Sequence, residues 1–339
     1  MACLQPQLLS PADGTILPLQ TSAQKAMLAS KRRFVPHKLN LTPRKRDLTT
    51  PLGAVFRWRG RAGELQLCQD LSFEQPRRYR GDGSCVVYNL LPGSAWHWRV
   101  MFANGQYSET RRFSIEDALP CFLHIEGLSN VRDVGGWRTM DGHRIRSRML
   151  IRGCQFEPKG SLDFRITEAG KAVYFGELGV RTELDLRGLA EGRETLVHPG
   201  YRRVHIPSSA YATWAQEGIF SSEQKATMKR IFTLLCDENA YPVYFHCAGG
   251  GDRTGTLTFL IQALLGMPLE DMLTDYEYSN LSISGERSRF SEVFTAFLAK
   301  LESYAPGKGV QCQVKAYLRD CGIGAATMNK LRRLLLENG

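Results

Sequence analysis

The chain has 339 residues, with 44 Lys and Arg against 34 Asp and Glu, a formal net charge of +10. Its composition, 43% hydrophobic, 10% aromatic and 23% charged, is that of a globular protein and excludes wholesale disorder. No apolar run approaches the roughly 20 residues that a membrane-spanning helix needs, and the length suits two domains of about 100–200 residues.

In chain order, the first third reads as β-structure. Strands are expected at 54–58, 64–68, 84–89, 95–102 and 108–115. Turn signals separate them at Arg59-Gly60, Gly81-Asp82-Gly83, Pro92-Gly93 and Asn104-Gly105. Trp96-His97-Trp98-Arg99-Val100 alternates apolar and polar residues as a half-buried strand does. Residues 1–120 hold 17 Lys and Arg and 9 Asp and Glu, so most of the basic excess lies here. Much of it is Lys31, Arg32, Arg33, Lys38, Arg44, Lys45 and Arg46. They fall in a stretch from about 20 to 50 that lacks hydrophobic periodicity, which reads as a basic insertion. Two readings stand: a solvated loop, or a contact for an anionic partner over 31–46. No nucleic-acid motif accompanies the charge, and no nucleic-acid binding is expected.

Short strands at this spacing suggest a sandwich. Leu9-Ser10-Pro11-Ala12-Asp13-Gly14, Leu90-Leu91-Pro92-Gly93 and Arg112-Phe113-Ser114 resemble stretches of fibronectin type III-like or immunoglobulin-like modules. The resemblance spans about residues 8–116 and implies an all-β accessory domain over 1–116.

After Pro120 strands and helices alternate, which implies a mostly parallel sheet flanked by helices over 117–339. Strands are expected at 145–151, 180–186, 201–206 and 241–245. Thr167 is placed to cap a helix that Gly179 ends, and Ser221 with Gln224 forms a capping-box pattern. A helix is expected over 253–265, closed by Gly266, then helices at 287–304, 310–320 and 327–337.

The chemistry concentrates at Phe245-His246-Cys247-Ala248-Gly249-Gly250-Gly251-Asp252-Arg253-Thr254-Gly255. A strand runs into a glycine-rich loop that feeds a helix N-terminus. Backbone N–H groups of such a loop surround phosphate oxygens, and the helix adds positive potential. Five residues between Cys247 and Arg253 let both face one anion, with Arg253 binding two of its oxygens. Such surroundings favour a thiolate, which makes Cys247 a ready nucleophile. The Walker alternative fails, because Gly251-Asp252-Arg253 does not supply its Gly-Lys-Ser/Thr.

These residues form the H-C-x5-R-[ST] signature and resemble the cysteine-dependent protein tyrosine phosphatases. Gly-x-Asp-Arg-Thr-Gly narrows the resemblance to the atypical bacterial and fungal group. Asn130-Val131-Arg132-Asp133-Val134-Gly135-Gly136, Leu184-Asp185-Leu186-Arg187 and Asp275-Tyr276-Glu277-Tyr278-Ser279-Asn280 resemble further motifs of that group, in order, over about 122–337. The family commonly has Lys before the loop Asp; here Gly251 stands there.

The resemblance implies phosphomonoester hydrolysis through a phosphocysteine on Cys247, without metal or cofactor. Ala248, Gly249, Gly250, Gly251, Asp252 and Arg253 would bind phosphate. Thr254 would hydrogen-bond the sulfur, and His246 would order the loop. Asp252 or Asp185 would be the general acid. Asp133, Asp185 and Arg187 are either pocket residues or scaffold. Phosphotyrosine leads as substrate, with phosphoserine/threonine, phosphoinositides and inositol phosphates open, and a non-catalytic phosphate-binding or adhesion module is the rival class. The nine cysteines carry no zinc spacing and no disulfide framework, although a Cys68–Cys85 bridge stays open. The first ten residues lack the pattern of a signal peptide. The compartment is open, the sandwich fusion favouring a periplasmic or secreted protein.

Overall fold

A computed structural model describes residues 7–29, 47–60, 62–158, 163–191, 196–211, 217–283 and 287–337. The basic run from Lys31 to Arg46 lies outside the described residues. The chain divides into two units, residues 1–21 with 51–121 and residues 22–50 with 122–339. No helix among the described residues is long and apolar enough to cross a membrane.

The first unit holds β1 (Gln7–Ser10), β2 (Thr15–Leu17), β3 (Ala54–Arg59), β4 (Gly63–Cys68), β5 (Arg77–Gly81), β6 (Ser84–Val87), β7 (Ala95–Phe102) and β8 (Arg111–Ile115). One sheet runs β1-β3-β6 and the other β2-β8-β7-β4-β5. The alternation read at 96–100 orders β7: every second residue from Trp96 to Phe102 is buried. Leu8, Phe56, Trp58 and Val87 of the first sheet join Leu65, Leu67, Trp98, Val100, Phe113 and Ile115 of the second in one apolar cluster. Phe56 packs edge-on against Trp98 and Phe113, with ring centroids 5.1 and 5.3 Å apart, and burying each such side chain contributes about 2 kcal/mol. Cys68 and Cys85 are free thiols, on different sheets. The strand β5 has no sequence signature because it is an edge: it pairs with β4, and among its arginines Tyr79 alone packs against the apolar cluster.

The second unit begins with α1 (Ser22–Ala29), where the sequence suggested an insertion of the first unit. Two turns of helix carry too little periodicity to recognise. The helix is secured by distant partners: Gln24 Nε2 donates to Leu48 O at 3.0 Å and Thr50 O at 3.2 Å, and Met27 packs with Phe122, Tyr278 and Leu281. The sheet comprises β9 (Arg132–Asp133), β10 (Leu150–Gly153), β11 (Thr182–Asp185), β12 (Arg202–His205) and β13 (Val243–His246), in the order β12-β11-β13-β10-β9. The pairs from β12 to β10 are parallel, and β9 is antiparallel to β10. The fold is therefore mixed α/β. The mostly parallel expectation gives way because β9 comes from the short Asn130–Gly136 motif, which precedes β10 without a crossover helix.

The helices are α2 (Glu168–Lys171), continued by a π-helical turn over Ala172–Glu177, α3 (Ser222–Leu235), α4 (Arg253–Leu265), α5 (Leu269–Glu277), α6 (Glu292–Glu302), α7 (Val310–Asp320) and α8 (Ala325–Leu335). Thr167 caps α2, accepting from Gly170 N, and Ser221 caps α3, accepting from Gln224 N. The capping box at Ser221 is half made, since the Gln224 side chain accepts from Ser209 N instead. Gly266, at φ +94°, closes α4. The strand expected at 145–151 starts only at Leu150; Ile145 bridges to Leu336. The helix expected from 287 starts at Glu292 under the Ser291 cap.

Candidate active site

β13 lies between β11 and β10, and every residue of the three is buried. Ligands of an open α/β sheet collect at strand C-termini. There β13 delivers Cys247, 3% exposed, and the chain turns through 248–252 into α4 at Arg253. The turn needs glycine at position 250: φ is +70°, and a Cβ would meet Gly153 O at 2.4 Å.

Each carbonyl of this turn is engaged by a neighbouring group. Cys247 O faces His246 Nδ1 at 3.0 Å. Ala248 O accepts from Gln155 N at 3.0 Å, and Gly249 O from Asn130 Nδ2 at 3.1 Å. Gly250 O accepts from Arg152 Nη2 at 2.9 Å, and Gly251 O from the Tyr211 hydroxyl at 3.2 Å. Asp252 O accepts from Thr256 N at 2.7 Å. In a trans peptide the N–H points opposite to the C=O. Anchoring the carbonyls of 247–252 on the scaffold therefore turns the N–H groups of 248–253 away from it, around the space beside Cys247. Such an arrangement suits an anion.

The anchors are held in turn. Arg152 is 1% exposed and shares buried Asp275 with Arg132: Arg152 Nη1 reaches Asp275 Oδ2 at 2.9 Å and Arg132 Nε reaches Oδ1 at 2.8 Å. Burial pushes the Asp275 carboxyl up, but the two guanidinium groups outweigh it and hold the pKa low. Burial and Arg132 bring Arg152 down to about 10, while Asp275 supports its charge. The trio leaves one net positive charge beneath the loop. Asn130 Oδ1 accepts from Arg132 Nη1 at 2.6 Å, and Asn130 N–H donates to Thr49 Oγ1 at 2.9 Å. So the segment after the basic run braces a residue that holds the loop.

Arg253 has its two terminal nitrogens on Glu191, with Nη2 donating to Oε1 at 3.1 Å and Nη1 to Oε2. Burial opposes its charge, and Glu191 and the Cys247 sulfur more than compensate. Glu191 Oε2 also accepts from Gly188 N at 2.6 Å. His246 is buried and its Nε2 faces Glu183 Oε1 at 2.9 Å, so it ties β13 to β11. Thr254 does not make the hydrogen bond to sulfur expected of it: its Oγ1 is buried and has no partner in this state. Asp252 is half exposed and pairs with Arg287 at 2.7 Å.

Asp133, Asp185 and Arg187 make scaffold contacts. Asp133 closes its own turn, accepting from Gly135 N at 2.8 Å and Arg148 N at 2.7 Å, and burial pushes its carboxyl up. Both Asp185 oxygens take Arg187, each at 2.9 Å, and Oδ2 also takes Arg203. Burial works to raise the Asp185 pKa, but these guanidinium groups hold it far below the usual carboxylate range. Arg187 Nη1 donates to Glu157 and Gln155. Glu183, Asp185 and His246 bring donor atoms within 4.8 Å of one another, the pattern of a cation site. Their oxygens are committed to Arg187, Arg203, Tyr201 and His246, so this is an ion-pair network by its donor set.

Sequence reasoning missed Arg152, Tyr211, Glu191 and Arg287. It named Asn130 and Asp275 only within motifs. An acid shortly after Leu184-Asp185-Leu186-Arg187 was the visible hint of Glu191.

The family described as the tyrosine phosphatase family matches residues 123–337. The triple specificity protein phosphatase PtpB of Mycobacterium tuberculosis is 30% identical, over 32% of this chain and 48% of its own length. A putative tyrosine-protein phosphatase of Cupriavidus necator is 26% identical, over 47% of this chain and 63% of its own. The chain thus spans less than two thirds of either relative. The core catalytic domain of the S. cerevisiae PP-IP phosphatase SIW14, solved with citrate, aligns with a TM-score of 0.29 at 15% identity, covering 50% of this chain and 82% of that one. A likeness of that size carries no weight.

Proposed function

The chain belongs to the tyrosine phosphatase family, and on that premise we propose that it hydrolyses phosphomonoesters through a phosphocysteine on Cys247, with phosphotyrosine as its leading substrate. The observation that supports this is the anchoring of every carbonyl from Cys247 to Asp252, which leaves the loop N–H groups available to an anion beside the thiol and Arg253.

Cys247 sulfur attacks phosphorus while the ester oxygen leaves with a proton from Asp252. The loop N–H groups and the Nε edge of Arg253 hold the equatorial oxygens, where charge must be balanced. Glu191 occupies only the far end of that guanidinium and orients it. Asp252 then takes a proton from the water that attacks the phosphocysteine, which releases phosphate and restores the thiolate. The Thr254 hydroxyl, buried and unpartnered, supplies a hydrogen bond to the departing sulfur. Asp252 is preferred to Asp185 as the acid because it lies in the loop and is open to solvent, whereas Asp185 is buried in the sheet between Arg187 and Arg203. No step calls for a metal ion.

Turnover of p-nitrophenyl phosphate with EDTA present tests the reading. Activity is expected, and Cys247→Ser should abolish it. A folded but inactive wild type, or activity that survives Cys247→Ser, overturns it. The two sheets and single apolar cluster of the first unit also support a fibronectin III- or immunoglobulin-like accessory module within residues 1–116, ahead of the catalytic region.

A further inference from the structure

Arg287 lies against the loop at Gly251 and Asp252. Its backbone is pinned by one side chain: Arg287 N donates to Asn280 Oδ1 at 2.5 Å, and Asn280 Nδ2 donates back to Arg287 O. The guanidinium lies over Gly251. A Cβ there would stand 2.7 Å from Arg287 Nη2, 2.9 Å from Nε and 3.0 Å from Cζ. Gly251 has no positive φ, so its backbone does not require glycine. A side chain at 251 would instead push aside the Arg287 guanidinium, the flexible end of its side chain. The Arg287 guanidinium thus occupies the space beside Gly251.

Arg287 Nη2 also meets Asp252 Oδ2 at 2.7 Å, with the Arg side chain 13% exposed and the Asp side chain 50% exposed. This pair sits at the rim of the loop and opens to solvent on its carboxylate side. Burial works against the charge of Arg287, but Asp252, Tyr211 and Tyr276 hold its pKa above the usual value. Because the carboxylate side of the pair is open to solvent, an incoming carboxylate can take the place of Asp252. The guanidinium fork fits an incoming carboxylate in two-point fashion.

We propose that Arg287 determines specificity: it grips an acidic side chain next to the phosphorylated residue of a peptide substrate, trading Asp252 for it, and glycine at 251 makes room for this. The proposal rests on the phosphotyrosine reading above. The exchange frees Asp252 to face the leaving oxygen, so recognition and proton transfer are coupled through one guanidinium.

The test uses the full chain and two phosphotyrosyl peptides that differ only in Glu or Ala beside the phosphotyrosine. Wild type should favour the Glu peptide by about two- to fivefold in kcat/KM, the scale of one exposed ion pair. Arg287→Met should bring that ratio to about one, whatever loss both peptides share, and Arg287→Glu should invert it for a Lys-flanked peptide. Circular dichroism checks that each variant is folded. Three outcomes overturn the proposal: no Glu preference in wild type, a preference that survives Arg287→Met, or a soluble short-chain phosphoinositide that depends on Arg287 while the peptide ratio does not. A wild type that turns over no phosphomonoester at all fails the functional reading instead.

Discussion

Asn130→Asp exchanges one donor for an acceptor at nearly constant size. Asn130 sits at φ +58°, a conformation that Asn and Asp both adopt more readily than other residues, so the backbone is not disturbed. Its Nδ2 donates to Gly249 O at 3.1 Å and its Oδ1 accepts from Arg132 Nη1 at 2.6 Å. In the variant an oxygen faces Gly249 O, and the peptide between Gly249 and Gly250 must turn or withdraw. The lost hydrogen bond costs about 1 kcal/mol of stability, and the new charge beside Arg132 offsets part of it. The catalytic cost is larger, because the N–H of Gly250 no longer aims at the anion. Losing one such preorganised donor costs about 3–4 kcal/mol, a factor of roughly 10²–10³. Steady-state turnover of p-nitrophenyl phosphate should show kcat/KM down by about 100-fold, and a thermal melt should shift by no more than about 5 °C. Activity within about threefold of wild type would refute the argument that anchored carbonyls aim the loop N–H groups.

Two further outcomes are expected. Glu191→Gln removes the charge that orients Arg253, across a contact in which both side chains are 21% exposed, and should lower kcat/KM about tenfold; a rise would mean that Glu191 competes with phosphate. Asp185→Asn breaks the buried contacts with Arg187 and Arg203 and should cost about 3 kcal/mol at pH 7. Because the folded-state pKa lies below the unfolded value near 3.9, this stabilisation is full above about pH 4 and fades as pH falls toward the folded value. Urea midpoints for wild type and variant should therefore converge between about pH 4 and 2, and a constant gap would exclude the ion pair as its source.

What the sequence carried unaided was chain-local. Cys247 and Arg253 stand six positions apart whatever the rest of the chain does, and the glycines between them allow the turn. The bounds of α4 could be read from the loop before it and Gly266 after it, and the burial rhythm of β7 from its alternation. Elements whose partners lie elsewhere were not legible in this way. β5, an edge, offers one apolar side chain, Tyr79, among its arginines, and α1 draws its support from Leu48, Thr50 and Phe122.

The same division runs through the site. The backbone of 247–252 could bend many ways, and its groups acquire a direction only from Gln155, Asn130, Arg152 and Tyr211. Polar side chains like these are common along the chain, and nothing local marks the few that meet one loop. Sheet order selects them: β13 lies beside β10, so Arg152 on β10 comes to rest against Gly250 and Gln155, just beyond it, against Ala248. The candidate nucleophile Cys247 and its arginine could therefore be singled out by spacing. The N–H nest, the Glu191 brace and the Arg287 guanidinium over Gly251 came only with the tertiary structure, because a hydrogen bond depends on where two groups meet in space.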